Sequence, residues 1–241
     1  RGLMPKLIKA TSVALLSFLF SSSIFALQGL NVITITTDDP QGYVKWLTDA
    51  QPVFQEAQGD NVMAQGICSP TAGGVEVNEH YVWSFAPSQA AMIGGDSMFD
   101  DKNVQRTLKR ISSKREVIRR DIYYVAKGDA VGGAGTTTAN YNLVSRTTDI
   151  NGYVDALTNM EAAAAKNGFD DISVAVYVSI ASGDRAGTVM ASVQAPNGNR
   201  LGAFFDQRES SWMTKSMATF DGIRQPVLDF MMKCTTLSVN N

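Results

Sequence analysis

The sequence predicts an α+β fold of two tandem β-α-β-β-α-β units, packed sheet to sheet as a single-chain barrel, on three observations. First, the stretch Asn31–Thr48, NVITITTDDPQGYVKWLT, returns at Asn142–Thr158 as NLVSRTTDINGYVDALT. With one deletion between the aspartate and the glycine, nine of 17 aligned positions are identical, where unrelated segments would share about one. Second, β-branched runs and helical stripes follow in the same order in both halves, with a period near 110 residues. Third, one run of the second half sorts cleanly by face. Ile172, Val174, Val176 and Val178 fall on one side, and Ser173, Ala175, Tyr177 and Ser179 on the other. An aliphatic side suits a helix layer and a mixed side suits a second sheet.

In the first half, Asn31–Thr37 reads as a strand, and Asp39-Pro40 as a helix N-cap with proline at the first helical position. Val44, Leu47, Phe54 and Ala57 give the following helix its apolar stripe, Pro52 is expected to kink or split it, and Gly59 ends it. Val62–Cys68 and Val75–Ala86 are the next strands, with Thr71–Gly74 as the turn between them. A second helix carries Val104, Leu108 and Ile111, and Val117–Ala126 closes the unit. The second half repeats the plan: strand Asn142–Thr148, cap Asp149, helix Gly152–Lys166, strands Ile172–Ile180 and Thr188–Ala195, a stripe of Met213, Met217 and Phe220, and strand Val227–Cys234. This order is the split βαβ, or ferredoxin-like, arrangement. The predicted division is a leader at 1–26, a first unit at 27–127, a Gly/Thr-rich link at 128–140 and a second unit at 141–241.

The leader follows from Lys6 and Lys9 ahead of the apolar run Ala10–Phe20 and the small-residue exit Ser21–Ala26, a Sec-type signal with cleavage expected after Ala26. Its apolar run is too short for a membrane span, and a periplasmic or secreted protein is expected. Arg1, Lys6 and Lys9 fall in the leader, so 18 of the 21 Lys and Arg residues remain against all 23 acidic ones, a net charge of −5. That balance argues against nucleic-acid binding. A monomer with internal pseudo-twofold symmetry is the expected state.

In element order, and in the alternation of Ile172–Ile180, the chain resembles the dimeric α+β barrel superfamily, which includes the antibiotic-biosynthesis-monooxygenase-like proteins, with the usual dimer fused into one polypeptide. The resemblance covers both halves and rests on no specific motif. Relatives of this kind include haem-degrading enzymes, which use an asparagine on the first strand, a tryptophan and a helix-borne histidine. The chain offers Asn31 and Trp83, but its only histidine, His80, shares the strand of Trp83. No haem, metal or other cofactor is therefore expected, and no His/Cys/Asp cluster has metal-ligand spacing.

Candidate site residues come from alternation. Tyr81, Trp83 and Phe85 place three rings on one strand face, where the second half offers Met190, Ser192 and Gln194. Tyr177 lies on the mixed face of its own strand. Arg146 takes the place of Ile35 in the gapped alignment, on a central strand, where it either holds an anionic ligand or pairs with Asp229. The expected ligand-binding set is Tyr81, Trp83, Phe85, Arg146, Tyr177 and Ser192, suited to a small aromatic or acidic organic molecule. Cys68 and Cys234 are the only cysteines; edge strands of the two units can bring them together or leave them at opposite ends, so a disulfide is one of two readings. Arg106–Arg120 holds seven basic residues and one acid, a solvated helix face or a docking surface over 102–120. The function expected is an exported, non-enzymatic ligand-binding protein. The alternatives are a cofactor-independent monooxygenase-like or isomerase-like enzyme using the same cavity, and a partner-docking protein acting through the basic helix.

Overall fold

Each unit begins with the same capping device, which explains why the repeated stretch is repeated. The computed structural model describes residues 27–73, 78–128 and 132–240; the expected leader at 1–26 lies outside them. The first strand, β1 (Gly29–Thr36), runs into helix α1 (Pro40–Gln58), and in the second unit β5 (Thr137–Arg146) runs into α4 (Ile150–Lys166). Asp39 and Asp149 cap these helices, accepting the Gly42 and Gly152 amides, each at 2.9 Å. The Thr37 and Thr147 hydroxyls in turn accept the amides of Asp39 and Asp149. A Cβ at Gly42 or Gly152 would lie 2.1 or 2.2 Å from the capping carboxylate, so only glycine leaves room for the cap. Such caps contribute about 1 kcal/mol each.

The caps fix the true correspondence of the units at a constant offset of 110, pairing Thr37 with Thr147, Asp39 with Asp149 and Tyr43 with Tyr153. The gap in the sequence alignment therefore shifts the first strand by one residue, and a one-residue shift exchanges its two faces. Ile35 corresponds to Ser145, each wholly buried, and Arg146 to Thr36.

Eight strands close into one barrel in the order β1-β3-β2-β8-β5-β7-β6-β4, every neighbouring pair antiparallel. The remaining strands are β2 (Ala64–Ala72), β3 (Glu79–Ala86), β4 (Glu116–Lys127), β6 (Ser173–Ala181), β7 (Thr188–Ala195) and β8 (Gln225–Val239). The units meet at two seams, β2 with β8 and β4 with β6. At the first seam Cys68 faces Cys234 in register, their Cα atoms are 4.0 Å apart, and a disulfide joins them. Thr137–Asn140 of the expected link are strand, and Gly135 and Thr136 bond to Thr236.

The helices lie outside the barrel. In the first unit α1 packs with α3 (Lys102–Lys109), which follows the short α2 (Gln89–Gly94) and a 3₁₀ turn. In the second unit α4 packs with α6 (Ser211–Ala218), preceded by α5 (Gly198–Phe205). Core formation follows the predicted stripes: Tyr43, Leu47 and Phe54 bury against Ile35, Ile67 and Val104, and Tyr153, Leu157 and Met160 against Val174 and Val176. Each such side chain contributes about 1.5–3 kcal/mol by burial.

Three expectations are corrected. Helix α1 is not split at Pro52: Leu47, Ala50 and Phe54 are buried on both sides of it while the Thr48 carbonyl forgoes its amide donor. Met217 is 43% exposed, unlike its stripe partners Met213 and Phe220. The basic stretch is not one helix. Its helical part ends at Lys109, and Arg119 and Arg120 stand on β4, where Arg119 pairs with Asp121 and Arg120 with Asp96.

Candidate functional site

An eight-stranded barrel has an interior just wide enough to be filled by side chains or to hold one small molecule. Here it is not filled. A cavity of ≈ 130 Å³ runs inside the barrel. The pleat decides what lines it. On β3 the odd-numbered residues face inward, so Tyr81, Trp83 and Phe85 form one wall, joined by Tyr123, Tyr177 and Phe230. Trp83 lies against Gly66, where a Cβ would come within 2.2 Å of the indole; the missing side chain on β2 seats the ring. Trp83 meets Phe85 at 5.5 Å, Phe85 meets Tyr177 at 6.0 Å, and Tyr81 meets Phe230 at 5.7 Å, all inclined and none stacked face to face.

The wall from the second unit is polar. Asn140, Asn142, Ser192 and Gln194 line it, with Asn140 Nδ2 donating to Ser192 Oγ at 3.3 Å. Asn142 is 1% exposed, and its Nδ2 has no hydrogen-bond partner among the described residues. A buried amide left without a partner costs about 1–3 kcal/mol.

The barrel end that receives the C-terminal ends of β1 and β5 is charged. Arg119 Nε donates to Asp121 Oδ2 at 2.8 Å, and the Tyr81 hydroxyl donates to Glu79 Oε2 at 2.6 Å. Burial opposes the charge on Arg119, but the hydrogen bond and charge of Asp121 outweigh it and raise its pKa. Burial, then Glu79, push the Tyr81 phenol far above its usual range. Burial, then the charge of Asp121, push Tyr123 up to about 12, although the Arg185 guanidinium reaches its hydroxyl. Both phenols are therefore neutral donors at ordinary pH. Thr34 Oγ1, Glu79 Oε1, Arg119 Nη2 and Asp121 Oδ1 are buried without partners among the described residues.

Of the six residues expected from the sequence, Tyr81, Trp83, Phe85, Tyr177 and Ser192 line this cavity. Arg146 does not. It is exposed at the end of β5, opposite Thr188 and Gln225, because the one-residue shift placed it too deep in the barrel. Asp229 is bonded by Tyr141 instead, at 2.9 Å. The cavity's guanidinium is Arg185, on the β6–β7 turn; Asp121 also lines the cavity and is paired with Arg119. Arg119 and Asp121 were legible as opposite charges two apart on a strand, and Asn142 as a polar residue of a predicted strand, while Asn140 fell inside the expected link. Nothing in the local sequence marks Arg185.

Asn31 and Trp83 lie on opposite faces of their sheet. Asn31 turns to the helix side, where it meets Ser84 and Arg120. His80 is also off the cavity; its Nδ1 lies 2.8 Å from Ser69 Oγ, and burial lowers its pKa. Haem iron needs an axial donor such as imidazole or thiolate. The cavity lining holds no histidine and its two cysteines are joined, so of the axial donors that haem iron takes the barrel offers neither imidazole nor thiolate, only phenols and thioethers.

No protein-family model and no curated protein sequence matches the chain. Solved structures do match its fold. A candidate monooxygenase from Lactobacillus acidophilus NCFM is 7% identical and covers 89% of this chain and 96% of its own, with a TM-score of 0.57. An anthrone oxidase-like protein is 16% identical over 86% and 91%, at 0.56. A heme-binding protein from Thermus thermophilus is 7% identical over 86% and 91%, at 0.50. At such identities the likeness shows the α+β barrel fold alone.

Proposed function

We propose that the chain is an exported protein that binds one small, flat, hydroxylated or carbonyl-bearing aromatic molecule inside its barrel. The observation that carries this reading is the unfilled interior, with an aromatic wall on one side and, facing it, the buried and unpartnered amide of Asn142. A ring system would lie against Trp83, Phe85 and Tyr177, and a hydroxyl or carbonyl oxygen would accept from Asn142. Because Arg146 lies outside the cavity, the preference for an acid that it had suggested no longer has its basis. Export is supported by the apolar leader and by the Cys68–Cys234 pair, since disulfides persist in oxidising compartments; N-terminal sequencing of the exported protein should begin at Leu27. The fold neighbours, with a monooxygenase-like and a heme-binding protein among them, are compatible with a ligand cavity.

The test uses 2-naphthol and naphthalene as probes, followed by tryptophan quenching. Wild type should bind 2-naphthol more tightly than naphthalene. Asn142→Leu should erase that difference, worth about five- to tenfold for one neutral hydrogen bond, and Trp83→Ala should weaken both probes. Equal binding of 2-naphthol by wild type and Asn142→Leu would remove the amide from the site.

A further inference from the structure

A cavity larger than the barrel's lies outside it. It lies in the second unit between helices α4, α5 and α6 and the outer face of β5 and β7, with a volume of ≈ 340 Å³. The equivalent space in the first unit is ≈ 80 Å³. Because the units correspond at a fixed offset along α1 and α4, the side chains of the two helices can be compared residue by residue. Trp46 of the first unit is replaced by Ala156, and Phe54 by Ala164, while Met160 in place of Ala50 returns part of the volume. In the first unit Trp46 packs on Tyr43 at 5.5 Å and on Phe54 at 6.1 Å, closing the space with rings.

The arginines differ in the same sense. Arg115 of the first unit donates from Nη1 to the Tyr43 hydroxyl and lies over the Tyr43 and Trp46 rings, a plug on the plug. In the second unit the tyrosine is kept as Tyr153, but its buried hydroxyl has no partner among the described residues. Arg224 keeps the place over the tyrosine ring, 6.0 Å from Tyr153, and stands 4.2 Å over the Phe220 ring, at the edge of the cavity, without bonding the hydroxyl. Arg208 joins it there, exposed and 5.0 Å over Phe205. These two guanidiniums are the only charged groups lining the space, and no ion pair holds either one among the described residues. The nearby Asp229 carboxylate already accepts the Tyr141 hydroxyl, and the two arginines bear on that phenol electrostatically. Met213 and Met217 form part of the wall, with Met217 turned partly to solvent; unbranched thioethers adapt to a flexible guest.

We propose that this cavity is a second, independent binding site, for an alkyl carboxylate of the fatty-acid type. The chain enters among Met160, Met213 and Phe204, and the carboxylate sits between Arg208 and Arg224, accepting charge-assisted hydrogen bonds at the rim. Protein interiors seldom leave voids larger than a water molecule, and an apolar void with paired cations at its mouth matches an amphiphile and not a polar metabolite.

The probes are dodecanoate and dodecan-1-ol, titrated calorimetrically into the full chain. Wild type should bind dodecanoate at one site. Arg208→Met with Arg224→Met should weaken dodecanoate at least tenfold and leave dodecan-1-ol unchanged. Ala191→Leu, which adds a side chain to the cavity floor, should weaken both, with circular dichroism confirming the fold. Trp83→Ala, in the barrel, should change neither, which separates this site from the barrel site. The proposal is overturned if wild type binds no dodecanoate, if the double arginine variant binds it as tightly as wild type, or if Trp83→Ala is the change that abolishes it.

Discussion

The two units share a fold but line their spaces in opposite ways. Inside the barrel the first unit presents Tyr81, Trp83 and Phe85 where the second presents Met190, Ser192 and Gln194, and Leu30 and Val32 where the second has Asn140 and Asn142. Asp121 and Arg119 are answered by Phe230 and Leu228. Outside the barrel both helix layers carry ring clusters, but the first unit leaves a space of ≈ 80 Å³ and the second one of ≈ 340 Å³. What both keep is the cap, the glycine that admits it and the buried tyrosine. The fold therefore requires little beyond the cap and the apolar stripes, and each unit is free to differ wherever a side chain faces a cavity.

The sharpest way to break the comparison is at the ring plug of the first unit. Trp46→Ala should destabilise the protein by about 3 kcal/mol, the lower end for a large aromatic because Trp46 is only partly buried. Filling the second unit's space instead, with Ala191→Leu, should be tolerated within about 1 kcal/mol by denaturant melts, since Ala191 lines a cavity already open. If both changes cost the same, the two helix layers are equally packed and the contrast is lost.

Next in size is the seam. Removing the β2–β8 disulfide with Cys68→Ala and Cys234→Ala should lower stability by about 2–4 kcal/mol, read from urea midpoints. Thiol labelling of unreduced, denatured wild type should find no free cysteine.

Smaller effects come from titration. His80 is buried neutral, so its folded pKa lies below its unfolded value near 6.5. Its contribution is present above about pH 6.5 and is lost as pH falls below that value. The melting temperature of wild type should therefore fall more on acidification than that of His80→Gln. Tyr81, Tyr123 and Tyr141 have raised pKa values, with Tyr123 and Tyr141 at about 12. Stability they supply below about pH 10 should be lost above it, and phenolate absorbance at about pH 11 should fall short of that of the unfolded chain.

Much of this was legible in the sequence, because strand alternation and helix stripes report which face is buried. The β-α-β-β-α-β order, the two faces of Ile172–Ile180 and the inward rings of β3 all followed from period alone. Arg146 was misplaced for a physical reason: a strand has period two, so one misplaced gap turns every residue to the other face. The gapped alignment scored more identities, yet the ungapped one keeps Thr37, Asp39, Gly42 and Tyr43 matched to Thr147, Asp149, Gly152 and Tyr153, which is the set that makes the cap. Arg185 was not legible, since a turn residue reaches a barrel mouth only through tertiary closure. The larger helix-layer cavity of the second unit was not legible, since Ala156 and Ala164, the counterparts of Trp46 and Phe54, do not line it.

The central claim is that the barrel interior is a ligand site and not merely a loosely packed core. Native mass spectrometry of the chain purified from its own host tests it most directly, with wild type, Trp83→Ala and Ala191→Leu measured side by side. The account predicts a small aromatic molecule retained at one per chain by wild type and by Ala191→Leu, and absent from Trp83→Ala. A wild-type mass equal to that of the bare polypeptide, or a retained molecule unaffected by Trp83→Ala, would contradict it.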